Sequence, residues 1–231
     1  MESLFKQVVV WLNANQGVLS LAIFILTIIL GWVSGIFSSL RRKPKFIISL
    51  LECPSFCCIY ETGNEFNGYH AYRIGFVIYL DISNIGNNAS SIKNIKIGYR
   101  WNLIPFCPLW WKYTLRLFWL KKPTIALEDF RVDIGNKVKI YPFLLQKNNL
   151  TFNEQDTFLE VGKSTSGVVY FEQPESWGGC QPKIVNNQIS ITIGVVDVFN
   201  KTYYLKTKIP VFTLEEAKKY NPLFGTTLSS L

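Results

Sequence analysis

The chain changes hydrophobic period once, near residue 45. Before it, residues 18–40 (VLSLAIFILTIILGWVSGIFSSL) form 23 positions without a charge. At about 1.5 Å per residue such a helix crosses the ~30 Å hydrocarbon core with some tilt. The preceding SLFKQVVVWLNANQ is amphipathic, and either lies in the outer membrane interface or extends the spanning helix. After Lys45 the period becomes two. AYRIGFVIYLDISN sets Ile74, Phe76, Ile78, Leu80 and Ile82 on one face, and SSIKNIKIGYR, NNQISITIGVVDVF and KTYYLKTKIP alternate likewise. KFIISLLE, NKVKIYPF and SGVVYFEQ read as further strands, and turn signals (NIGNN, DIGNK, SWGG, VFNKT) fall between runs. One late helix, TLEEAKKY, completes the set.

This pattern predicts a transmembrane α-helix followed by a mainly-β domain, an antiparallel immunoglobulin-like β-sandwich. The expected divisions are a short amphipathic segment (1–17), the span (18–40), a basic linker (41–45) and the β-domain (46–231). One stretch breaks the alternation. WNLIPFCPLWWKYTLRLFWLKKP, residues 101–123, holds four of the seven tryptophans. Trp110, Trp111 and Trp119 with Lys112 and Arg116 have the composition of a helix lying in a membrane interface, inserted into the β-domain. Pro105 and Pro108 argue against a second span, and a helix packed on the β-core is the competing reading.

Within the hydrophobic helix, Ser20, Thr27 and Ser34 stand seven residues apart and share a face with about 20° of drift per step. Gly31 and Gly35 form a GxxxG, and Ser38 pairs with Ser34 at the same interval; small residues permit close helix approach in lipid. The stripe reads as a self-association face. In a parallel bundle of four or more copies it also lines a water-filled path, with Ser20, Thr27 and Ser34 as pore-lining residues. Hydroxyls that simply bond back to their own helix give the same pattern.

Charge refines the picture. The net charge is +8, unevenly placed. Arg41, Arg42, Lys43 and Lys45 follow the span while Lys6 alone precedes it, so the positive-inside rule expects the N-terminus outside and the β-domain in the cytoplasm of a single-pass inner-membrane protein. Basic charge following the apolar run also argues against a secretory signal. Residues 93–139 carry ten basic against three acidic residues. Lys93, Lys96, Arg100, Lys121, Lys122, Arg131, Lys137 and Lys139 are the candidate ligand-binding cations, with Tyr99 and Trp101 interleaved as stacking platforms. A nucleotide or single-stranded oligonucleotide, anionic lipid, or plain solvation each accounts for them.

Five cysteines, an odd number, and the single His70 supply no zinc-ligand spacing. No metal or other cofactor is expected, and free thiols fit a reducing compartment. GxSxG, GxxxxGK[ST], HExxH and GxGxxG are all missing, so the chain is expected to act by binding and not by catalysis.

The layout VLSLAIFILTIILGWVSGIFSSL, then RRKPK, then a strand-rich remainder, resembles the transmembrane effectors of bacterial anti-phage defence encoded beside nucleotidyltransferases, as in CBASS and Hailong systems. The resemblance covers the layout of the whole chain. It implies a homo-oligomeric effector whose β-domain reads a nucleotide signal and whose helices form an ion channel or disrupt the membrane, with a nucleotidyltransferase as partner protein. A membrane-tethered binding or assembly module without a pore is the alternative.

Overall fold

The computed structural model describes residues 2–35, 43–103, 105–145 and 157–226. The chain divides into two compact units, residues 1–43 and 44–231.

The first unit holds two helices, α1 (Glu2–Ala14) and α2 (Gln16–Val33). They part at Asn15, whose backbone leaves the helical region (φ −119, ψ 59) while its side-chain amide donates to the Trp11 carbonyl at 2.9 Å. Asn competes for backbone partners in this way and is a poor interior helix residue. The amphipathic segment is therefore a helix of its own. α2 has a mean hydropathy of 2.2 over its 18 residues and buries none of them, so it is long and apolar enough to cross a membrane by length and composition. Of the expected span 18–40, α2 covers the part up to Val33. Ser34 and Gly35 form a turn, with Gly35 in the left-handed region at φ 77, the usual glycine stop. Ser38, Arg41 and Arg42 lie outside the described residues.

The second unit is mostly β. Its strands are β1 (Phe46–Leu50), β2 (Phe56–Phe66), β3 (Tyr69–Asn84), β4 (Ser90–Tyr99), β5 (Phe118–Leu120), β6 (Arg131–Ile134), β7 (Lys137–Ile140), β8 (Phe158–Leu159), β9 (Ser164–Trp177), β10 (Ile184–Val185), β11 (Gln188–Asp197) and β12 (Thr202–Phe212). Two short helices accompany them, α3 (Pro108–Leu115) and α4 (Leu214–Tyr220). A large sheet runs in the order β1-β3-β2-β12-β11-β4-β5. β1 and β2 take successive halves of one edge of β3, and β9 pairs along the other edge. The expectation of purely antiparallel pairing fails between β12 and β2, and at an isolated parallel bridge from Phe143 to Val168. Val211 and Phe212 of β12 pair parallel with Cys57 and Cys58 of β2, so the sheet is mixed.

β3 is buried on both faces. Ile74, Phe76, Ile78, Leu80 and Ile82 join Ile95, Ile97, Ile191, Ile193 and Val195 from β4 and β11 in one core. Val77 and Tyr79 point the other way, into a second core with Phe130, Val132, Tyr141, Phe143, Tyr170 and Phe224. That second core is closed by the separate β6–β7 hairpin and by α4, whose Thr213–Glu216 capping box starts the helix. Cys57 and Cys58 alternate between the two cores. Both are fully buried, and burial pushes the Cys58 thiol up to about 12.

The end of the sheet where the chain enters at Pro44 is tied by two polar side chains, the buried Asn84 and the half-buried Tyr203. Asn84 donates to the carbonyls of Asn88 (2.8 Å) and Leu159 (3.0 Å), and its Oδ1 accepts from the backbone N–H groups of Lys45 and Gly86. The Tyr203 hydroxyl sits between the Pro44 carbonyl (2.6 Å) and the buried Asp197 carboxylate (3.1 Å). Desolvation first, and the Asp197 contact second, push this phenol up to about 12, so it stays a donor at every physiological pH.

Candidate functional site

On β4 the core takes Ile95, Ile97 and Tyr99, so Lys96, Gly98 and Arg100 face outward. Strand pairing sets their neighbours. Gly194 of β11 stands opposite Lys96, and Thr192 opposite Gly98. On β12, Tyr204 lies beside Gly194, Lys206 beside Thr192 and Lys208 beside Ser190. On β5, Trp119 lies beside Gly98. One sheet face thus gathers Lys96, Arg100, Lys206 and Lys208 with Trp119 and Tyr204, and none of its outward positions on these four strands is a carboxylate.

Two glycines let the aromatic groups lie flat on this face. A Cβ at Gly98 would meet the Trp119 ring at 2.9–3.0 Å, and one at Gly194 would meet Lys96 Cε at 2.8 Å. The indole therefore rests on Gly98 and the lysine stem on Gly194. The Lys96 ammonium ends 5.1 Å from the Trp119 ring centre and 5.6 Å from that of Tyr204, which are themselves 6.0 Å apart. At a partly exposed site each such cation–π contact is worth about 0.5–1 kcal/mol, enough to hold the ammonium between the rings. Arg100, Tyr204, Lys206 and Lys208 are exposed. No salt bridge among the described residues includes any of these cations. The face is built to offer unpaired positive charge beside π-surfaces.

The eight expected cations do not form one site. Lys96 and Arg100 lie on this face, and Lys121 follows β5 at its margin, its carbonyl accepting from the Asn94 side chain at 2.8 Å. Lys122, next in the chain, is exposed. Lys93 belongs to the Pro44 end, where its ammonium meets Asn200 at 2.7 Å. Arg131, Lys137 and Lys139 ride on the β6–β7 hairpin, which covers the opposite side of β3; Lys139 stacks over Tyr141 at 4.5 Å. Sequence reading missed Tyr204, Lys206 and Lys208 as partners of Lys96. Their outward alternation on β12 was visible, but only strand pairing brings them together across about a hundred residues.

The tryptophan-rich stretch also divides. Trp101 packs against Phe118 at 4.6 Å and Trp119 belongs to the sheet face. The projecting part is α3, started by Pro108 at its first turn and by Cys107, whose sulfur accepts from the Trp110 N–H at 3.2 Å. Trp110 packs edge-on to Trp111 at 5.0 Å and beside Phe106 at 5.4 Å, and Trp111 and Lys112 are exposed. Arg116 follows the helix. This projection stands at the Arg100 end of β4. The ten residues of the strand, at ~3.4 Å each, place it about 30 Å from the Pro44 end.

In α2, the Thr27 hydroxyl donates to the Ile23 carbonyl at 2.8 Å and Ser34 to Gly31 at 3.1 Å. Ser20, Thr27 and Ser34 are all exposed. The donor of each bonded hydroxyl is satisfied within the helix, while its acceptor lone pairs stay open to a neighbour.

The geometry makes one substitution diagnostic. Gly98→Val places two methyl groups under the indole and lifts Trp119 off the sheet. Trp119 fluorescence, isolated by difference from a Trp119→Phe chain, is expected to shift to the red as the ring enters water, with the unfolding midpoint falling by a few degrees. An unshifted spectrum would mean that the indole does not rest on Gly98. No protein-family model matches this chain, and no curated protein matches it.

Proposed function

We propose that this chain is a single-pass, membrane-anchored effector of the kind the layout resembles. Its β-domain, read as an immunoglobulin-like sandwich on the inner face of the membrane, binds a nucleotide or single-stranded oligonucleotide on the Lys96–Trp119–Tyr204 face. It acts by binding, without turnover. Copies of α2 associate, and the bound ligand governs whether the assembly passes ions, in the setting of a bacterial anti-phage response.

The observation that carries this reading is the carboxylate-free face with two aromatic rings and four cations. Phosphates answer the cations and bases answer the rings, a combination that sequence-tolerant single-strand binders use. An anionic headgroup engages only the cations. The test is fluorescence anisotropy of a labelled single-stranded hexanucleotide with the full chain in zwitterionic nanodiscs. Binding that steepens as salt falls supports the reading. No binding at low salt, together with full binding to phosphatidylglycerol vesicles, would assign the face to lipid.

The hydrogen bonds of Thr27 and Ser34 back to their own helix favour a second reading, a tethered binding module without a pore. The pair Thr27→Leu with Ser34→Leu separates the two. In a bundle, leucine overfills the contact and dries the axis, so ion flux from proteoliposomes is lost while insertion persists; Ile25→Leu, on another face, leaves flux unchanged. Flux and oligomer size untouched by the pair would make α2 an anchor alone.

A further inference from the structure

The Pro44 end of the β-domain carries a second surface, distinct from the cationic face. Four separate segments meet there. Ile85 follows β3, and its N–H donates to the Lys45 carbonyl. Phe158 of β8 pairs with Ser91, whose carbonyl accepts from Val198 in the β11–β12 turn. Phe199 in that turn is 63% exposed; Ile85, Phe158 and Val198 are each about half exposed. Asn84 ties Lys45, the β3–β4 loop and β8 together, and the Ser91–Val198 bond joins the β11–β12 turn to them. Around them stand Lys45, Lys93, Lys163 and Lys201, all exposed. Asp197 is buried, and Glu160 is the one exposed carboxylate among the described residues of these segments.

We infer that this end is a membrane-contact footprint, with the apolar tips entering the headgroup layer of an anionic bilayer and the lysines lying among the lipid phosphates. Three features select a bilayer as the occupant. Apolar tips spread over three segments, with lysines beside them, match a surface that is apolar beneath and anionic above. Each lysine near such a surface adds to the attraction, and among the described residues one exposed carboxylate offsets only one of the four. The leash is short: nine residues lie between Ser34 and Pro44, a reach of at most ~35 Å when fully extended. The inference rests on the reading that α2 lies in the membrane. It also assigns the bilayer to the opposite end of β4 from α3, and so leaves the Trp110–Trp111 projection facing away.

The test places the photo-crosslinker p-benzoylphenylalanine in the full chain, singly, at Phe199, at Trp111 and at Ile25 within α2. Each chain is reconstituted in phosphatidylethanolamine–phosphatidylglycerol vesicles and irradiated. Mass spectrometry is expected to find phospholipid adducts at Ile25 and Phe199 and none at Trp111. Adducts at Ile25 without any at Phe199, or a Phe199 adduct to a second protein chain, would overturn the footprint and keep the anchor. Adducts at Trp111 but not at Phe199 would turn the domain end for end. An absence of lipid at Ile25 would remove the anchor reading, and the footprint with it.

Discussion

Changing Lys96, Lys206 and Lys208 together to Ala is expected to weaken hexanucleotide binding on the order of 100-fold at ~0.15 M salt. Each contact of a single strand with a cation contributes about 0.7 to the slope of log affinity against log salt, so the triple variant also loses roughly 2 from that slope. The salt slope separates lost phosphate contacts from a general loss of fold. Lys206 and Lys208 are exposed and Lys96 lies over Gly194 with no hydrogen-bonded partner among the described residues, so the unfolding midpoint should move little. The complementary triple Arg131→Ala, Lys137→Ala and Lys139→Ala removes equal charge from the same basic segment. Those residues sit on the hairpin that closes the second core, across the domain, and the affinity is expected to change less than about threefold, through long-range charge alone. Equal losses from both triples would mean that net charge, and not the face, governs binding.

Asn84→Ala is expected to be the most damaging single substitution for stability. The side chain is fully buried and makes four hydrogen bonds, two as donor and two as acceptor. At about 1 kcal/mol each, with the orphaned carbonyls of Asn88 and Leu159 adding desolvation cost, the loss is about 4 kcal/mol. For a domain of this size each kcal/mol lowers the midpoint by roughly 2–4 °C, so a fall of about 8–16 °C is expected in thermal unfolding. Asn84→Asp keeps the acceptor and loses both donors while burying a charge, and should be no better. Tyr203→Phe removes the hydroxyl's contacts with both the Pro44 carbonyl and the Asp197 carboxylate and should cost about 2 kcal/mol. If Asn84→Ala unfolds within a degree of the parent chain, the Pro44 end is not organised by that amide.

What could be read in the sequence followed burial. β11 and β12 alternate because one face meets the inner core, and on β3 the inner-core positions from Ile74 to Ile82 fell where expected although Val77 and Tyr79 enter the second core. α4 announced itself through Thr213 and Glu216. β2 did not: Phe56 and Cys58 enter one core and Cys57 the other, so the stretch shows no alternation and reads as a cysteine cluster. The mixed sheet was hidden for a related reason, since the parallel step rests on two residues at the end of β12. The basic segment was legible as charge and not as a site. Local sequence separates Lys96 from Lys139 only by strand period, and joins Lys96 to Lys206 not at all. Trp119 read as part of a membrane segment because Gly98, the residue that seats it, lies on another strand. The stripe in α2 was plain to see, but the hydroxyls' own-helix bonds are compatible with either lipid or a neighbouring helix, so spacing alone decides nothing there.

In the proposed function, a ligand on the Lys96–Trp119–Tyr204 face controls what the α2 helices do. Potassium flux from proteoliposomes holding the full chain, recorded before and after adding a saturating single-stranded hexanucleotide, tests it most directly. The predicted result is a change in flux on addition for the parent chain and none for the Lys96, Lys206, Lys208 triple variant, at matched insertion. Flux that is identical with and without the oligonucleotide in the parent chain, although anisotropy shows it bound, would contradict the claim and leave a tethered binding module in its place.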